Sequence, residues 1–104
     1  MKIPTKFKCA GFDIKIQSLE KLDGNDFGLY NDVTNIIKLA ENISINTGEL
    51  TKLTERQRIN TFWHEVGHVF QFHSGKEFNE EDAQIFANFM TEFFETYEQD
   101  CQNS

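Results

Sequence analysis

The chain holds one proline, two cysteines and no stretch of 18 apolar residues. Pro4 sits in the N-terminal tail, so no proline-rich linker divides the sequence, and 104 residues is the size of one domain, 1–104. Cys9 and Cys101 are too few for a disulfide scaffold and lack the paired short spacing of a zinc knuckle or a redox CxxC, so free thiols in a reducing compartment are expected. With Lys or Asp recurring through MKIPTKFKCAGFDIKI, there is neither a membrane span nor the apolar segment of a secretion signal. The expectation is a soluble, cytoplasmic protein. Positive charge is also scarce. Ten Lys and Arg stand against 17 Asp and Glu, a formal charge of -7, and residues 77–104 carry eight acidic side chains and no basic one. Such a chain repels nucleic-acid phosphates and anionic membrane, so neither is an expected partner.

What the chain has in quantity is aromatic surface: eleven Phe, one Trp and two Tyr. At this size about two thirds of the extended surface can be buried, enough for one modest core. Phe12, Ile14 and Ile16 alternate with Asp13, Lys15 and Gln17, the period of a strand with one buried face. Asp23-Gly24-Asn25-Asp26 reads as a turn. Phe27 to Tyr30, a polar break at Asn31-Asp32, and Val33 to Ala40 then read as a second hairpin. From Thr54, a helix N-cap residue, Ile59, Phe62, Trp63, Val66, Val69 and Phe70 recur at helical spacing over about 20 residues, and Ser74-Gly75 ends the run. Asn79 caps a second helix whose apolar stripe is Ala83, Phe86, Ala87, Met90, Phe93, Phe94 and Tyr97. The predicted class is α+β: a small antiparallel sheet packed on two helices.

The first helix contains His64-Glu65-Val66-Gly67-His68. Residues four apart project from one helix face a single turn apart, so His64 and His68 can grip one ion, while Glu65 can take a proton from water without being a ligand. Chance gives about 0.01 matches to this pattern in a chain of this composition. With Ile59 at zero on the helical wheel, His64, His68 and Glu65 fall at about 140°, 180° and 240°, away from the apolar stripe. Catalytic zinc takes three protein ligands and leaves a position for water. A third His six residues after His68 is ruled out, because Ser74 holds that place and Gln71 the place of the accompanying Gly. His73 falls one residue short and reads as a helix-end residue. The remaining candidates are Glu80, Glu81 and Asp82, and Glu80, at about 60° from Ala83, lies nearest the inward stripe. A carboxylate there is costly to bury unless it is paired or bound to metal. Gln84, one turn on, can support a ligand by hydrogen bonding.

TFWHEVGHVFQFH followed by EEDAQIFANFM resembles the gluzincin metallopeptidases, in particular the small ImmA/IrrE-like metallo-endopeptidases, over about residues 54–94. That family pairs an HExxH helix with a Glu-x-x-Ala-Asn-x-Phe-Ala helix, matched here by Glu80, Ala83, Gln84, Phe86 and Ala87, with Gln84 in place of Asn. The resemblance implies a zincin-like domain, zinc as cofactor, Glu80 as third ligand and a protein or peptide substrate lying along an edge strand near Ile36 to Ala40. The tail after Tyr97 reads as a fraying end; the alternative comes from length, in which the chain resembles single-domain minigluzincins, some of them self-inhibited, which implies that residues 98–104 can fold back so that Cys101 or Asp100 caps the zinc. The gap from His68 to Glu80 is shorter than in the family, and Tyr30, Tyr97 and His73 are the candidates for stabilising a transition state.

Together these readings predict a zinc metallopeptidase in which His64, His68 and Glu80 bind Zn²⁺ and Glu65 is the general base. The alternative is a zinc-stabilised interaction module, inactive or self-inhibited. A third reading is a metal-free helical domain whose acidic C-terminal face docks a basic partner.

Overall fold

The computed structural model describes residues 1–46 and 48–103. Its elements run β1 (Lys6–Cys9), β2 (Phe12–Leu19), β3 (Gly28–Asn31), β4 (Ile36–Ala40), β5 (Asn42–Ser44), β6 (Leu50–Lys52), α1 (Glu55–His73) and α2 (Glu80–Asn103). The class is α+β, as the two periodicities predict. No helix among the described residues is long and apolar enough to cross a membrane. Ser104, the end of the tail expected to fold back, lies outside the described residues.

The sheet corrects the expectation of an antiparallel array. Its order is β1-β2-β4-β3, and β2 pairs with β4 in parallel, from Lys15 beside Ile36 to Leu19 beside Ala40. The chain leaves β2, turns through Asp23–Asn25, runs along β3 at the sheet edge and returns inward as β4. The strand at Ile36 to Ala40 is therefore internal, and the edges of the sheet are β1 and β3, with β3 the edge next to β4. β4 starts at Ile36 rather than Val33 because Asn31 Oδ1 accepts from the N–H groups of Val33 and Thr34, and Asn35 is left-handed at φ 55°. The strand β1 pairs with β2 through Ala10 and Gly11, both at positive φ, which is a two-residue hairpin turn.

One sheet face buries Ile14, Tyr30, Ile37 and Leu39 against Phe62 and Val69 of α1. A second small cluster joins Leu22, Ala40 and Leu53, with Ile43 of the β5-β6 hairpin on its flank. Phe12, predicted to share the buried face, is half exposed and packs on the His73 ring instead. Phe70, Phe93 and Tyr97, predicted to face the core, are exposed as well. Along α2 the buried row is Ala83, Ala87 and Thr91, a four-residue spacing. That row of small residues lets α2 lie close on α1, and the larger aromatics fall to its sides.

The helix ends are set as predicted. Thr54 Oγ1 accepts from the Gln57 N–H while Gln57 Oε1 accepts from the Thr54 N–H, a reciprocal cap that starts α1. Asn79 Oδ1 accepts from the Asp82 N–H at the start of α2. From Glu80, α2 is continuous to Asn103, so at 1.5 Å per residue Asp100 and Cys101 stand about 30 Å along its axis from Glu80. A tail folded back onto the centre is not what the chain forms.

Two glycines set how closely the layers approach. A Cβ at Gly67 of α1 would lie 3.2 Å from the Cα of Ala83, and a Cβ at Gly28 of β3 would lie 2.6 Å from Cγ2 of Thr61 and 3.3 Å from Cγ of Glu65. The central helix thus meets the α2 backbone on one face and, on the other, presses its Thr61 and Glu65 side chains against the β3 backbone. Overpacking of this kind costs about 1–3 kcal/mol, and Thr61 is stiff at χ1 and cannot easily turn aside. Gly28→Ala is expected to lower the urea-unfolding free energy by that amount. The pair Gly28→Ala with Thr61→Ser, which removes the opposing methyl, is expected to recover part of the loss; equal stabilities of the single and double variants would contradict the contact.

Candidate metal centre

The close approach at Gly67 and Ala83 brings the first turn of α2 over the middle of α1. His64 and His68, one turn apart, then both face Glu80. His64 Nε2 is 2.7 Å from Glu80 Oε2, and His68 Nε2 is 2.9 Å from Glu80 Oε1. One donor atom from each of the three residues lies within 4.8 Å of the others, and among the described residues this is the one such group with the chemistry of a metal site. Glu81 and Asp82, the other candidates for a third ligand, are exposed on the first turn of α2 and do not belong to this group of donors.

The burial around the centre differs from expectation in two ways. Glu80 is 78% exposed at its side chain, so its position does not reflect a carboxylate forced into an apolar stripe; the two imidazoles hold it at the mouth of the site. Conversely, Glu65 and His68, predicted to face away from the core, are buried, at 6% and 4% exposure. β3 and its edge cover Glu65, and Phe78, in the loop between the helices, stacks on the His68 ring at 4.9 Å.

Each imidazole is oriented through its other nitrogen. His68 Nδ1 is 2.9 Å from Gln71 Oε1, and that same oxygen accepts from the Asn79 N–H while Gln71 Nε2 donates to the Asn79 carbonyl. Backbone polarity fixes which end of Gln71 is oxygen, so His68 Nδ1 must be the donor. The Nε2 of the neutral ring then carries a lone pair aimed at an anionic oxygen. Two lone pairs and a carboxylate in hydrogen-bond contact need positive charge between them, supplied either by protons on the rings or by a bound cation. The donor set of two imidazoles and one carboxylate, with the rings held by second partners, fits zinc and similar divalent ions.

The electrostatics follow this layout. Burial pushes the Glu65 carboxyl up to about 7; His68 and the Tyr30 N–H oppose the rise, and the charges of Glu80 and Asp26 add to it. The Glu80 carboxyl is lowered: its partial burial acts upward, but the hydrogen bonds and charges of His64 and His68 outweigh it. Beside the cluster opens a cleft of about 580 Å³ whose walls include Gly28, Leu29, Arg56, Asn60 and Phe78.

Of the candidates for stabilising a transition state, Tyr97 is excluded by distance, about 25 Å down α2 from Glu80. Tyr30 Oη donates to Asn35 Oδ1 at 2.8 Å, and His73 Nε2, at the end of α1, lies 3.4 Å from both groups. Those two form a cluster of their own. Gln71 went unread as a ligand support although its spacing of three residues from His68 on a helix is the available signal. Phe78 and Gly28 carry no signal at sequence level. No family model, no curated protein and no solved structure matches the chain.

The raised Glu65 carboxyl couples folding to pH. Between its ordinary value of 4.5 and its folded value of about 7, the folded chain holds a proton that the unfolded chain releases. The favourable protonated state is fully present below 4.5, so stability of the metal-free protein falls as pH rises toward 7, by up to about 3 kcal/mol. Glu80, lowered instead, acts with the opposite sign below 4.5 and is common to both proteins compared. Thermal unfolding of chelator-treated wild type and Glu65→Gln from pH 4 to 8 should show the decline in wild type alone. The same decline in the variant would contradict the assignment.

Proposed function

We propose that this chain is a zinc-dependent metallo-endopeptidase, with His64, His68 and Glu80 holding the metal and Glu65 as general base. The observation that carries the reading is the convergence of the three donor atoms within 4.8 Å in an open cleft, with a separate buried carboxylate one residue from a ligand. The resemblance of HEVGH and EEDAQIFA to the gluzincin pattern supports it. Zinc bound there supplies a Lewis acid for a peptide carbonyl and lowers the pKa of water toward 7.

The chain's own residues have three tasks. Glu65, buried beneath β3, accepts a proton from the attacking water on its carboxylate and passes it to the departing amine. The β3 strand, paired on one side with β4 alone, offers its outer edge to an extended peptide by strand addition, a role the edge position moves here from Ile36 to Ala40. The walls formed by Leu29 and Phe78 flank that path with apolar surface. The few, separated cysteines suit a reducing, cytoplasmic setting.

One observation favours a zinc-stabilised interaction module without turnover: the Tyr30 hydroxyl and His73 are engaged with Asn35, and Tyr97 is remote, so every group named for oxyanion stabilisation is already occupied or far away. Variant kinetics and metal content separate the readings. The peptidase account expects one zinc per chain in wild type, none after His64→Ala with His68→Ala, and in Glu65→Gln an unchanged zinc content with hydrolysis of a casein substrate reduced by about 10² to 10⁴. Undiminished hydrolysis in Glu65→Gln would overturn the base, and undiminished zinc in the double variant would overturn the centre.

A further inference from the structure

His64 is tied through a chain of side-chain amides to a buried hydroxyl on α2, and the polarity of every link can be assigned. Thr91 is 1% exposed, and its Oγ1 lies 2.7 Å from the carbonyl oxygen of Ala87 one turn back. Two acceptors at that distance repel, so the hydroxyl gives its single proton there and can only accept from its other neighbour, Asn60 Nδ2 at 3.1 Å. The Asn60 amide is thereby oriented. Its second proton goes to Asn88 Oδ1 at 3.1 Å, and its own Oδ1 accepts from Gln84 Nε2 at 2.9 Å. The other proton of Gln84 Nε2 goes to the same Asn88 oxygen at 2.8 Å. Both NH₂ groups are then fully used. What Gln84 turns toward His64 Nδ1, at 2.9 Å, is its carbonyl oxygen.

We propose that Thr91 and Asn60 are positioning residues for His64: acting through Gln84, they keep the ring proton on Nδ1 and leave Nε2 as the electron-pair donor facing Glu80. Glu80 competes for the ring proton from the other side. Its side chain is largely exposed, so with both rings neutral water can replace its contacts with them, whereas Gln84 is held by two donor bonds, and the neutral ring keeps Nδ1–H. His68 reaches the same tautomer by an independent route, Gln71 clamped on the backbone of Asn79. The two ligands therefore have separate anchors, one in backbone and one in a threonine hydroxyl. The consequence for metal affinity rests on the proposed function, while the tautomer does not.

The test is nitrogen-15 spectroscopy of the histidine rings in chelator-treated protein at about pH 9, where an ordinary imidazole is neutral, paired with zinc affinity by chelator competition. In wild type, His64 is expected with a protonated Nδ1 and a bare Nε2. Thr91→Val keeps the branched shape without the hydroxyl, and Asn60→Ala removes the next link at a half-buried position; each should give His64 a mixture of tautomers while His68 stays as it was. Each should also weaken zinc about tenfold, the size of effect known for outer partners of metal ligands, and Thr91→Ser should restore both readouts. A wild-type His64 protonated on Nε2, or ring signals identical in wild type and both variants, would overturn the positioning role. A wild type that binds no zinc but shows the Nδ1 proton, lost in the variants, would refute the metal centre and uphold the positioning role.

Discussion

Two imidazole nitrogens stripped of their protons cannot rest against a carboxylate without a cation among them. In this chain the outer nitrogens of His64 and His68 are committed to amide oxygens, so the inner pair is free to donate electrons, and both inner nitrogens meet the single carboxylate of Glu80. The arrangement is satisfied by protons or by a divalent ion. A divalent ion satisfies it with both rings neutral, the state the outer hydrogen bonds already select.

Such convergence demands close spacing of the elements that carry it. Glu80 reaches α1 because glycine at 67 and alanine at 83 let two helices touch at backbone level, and Glu65 is covered because glycine at 28 lets an edge strand lie directly on the side chains of Thr61 and Glu65. The central helix is thus pressed from both flanks, which buries Glu65 and leaves Glu80 at the mouth of the cleft. A carboxylate buried in this way holds its proton to unusually high pH when no metal is near, and the positive charge of an ion would act in the opposite direction.

Much of this was legible in residue order. HEVGH has a spacing that chance rarely produces, Thr54 and Asn79 announced the two helix starts, and wheel geometry chose Glu80 over its two acidic neighbours, though on the ground of an inward position that its exposed side chain does not have. What escaped was set by contacts between distant segments. Ala10-Gly11 is a hairpin turn without the usual Asn-Gly signature, so β1 went unseen. The three-residue strands β5 and β6 are too short and polar for alternation to register. The parallel pairing of β2 with β4 depends on β3 swinging to the outside, a choice that local propensity does not encode. The burial of Thr91 instead of Phe93 reflects helix packing at small residues, where period alone favours the aromatics.

The most direct measurement is X-ray absorption at the zinc edge of the purified, zinc-reconstituted protein, read together with the same spectrum of Glu80→Ala. The account predicts two nitrogen scatterers from histidine and light oxygen scatterers at about 2.0–2.1 Å, with the carboxylate contribution lost in the variant. A spectrum dominated by water oxygens, or one unaltered by removing Glu80, would contradict a centre built from these three side chains.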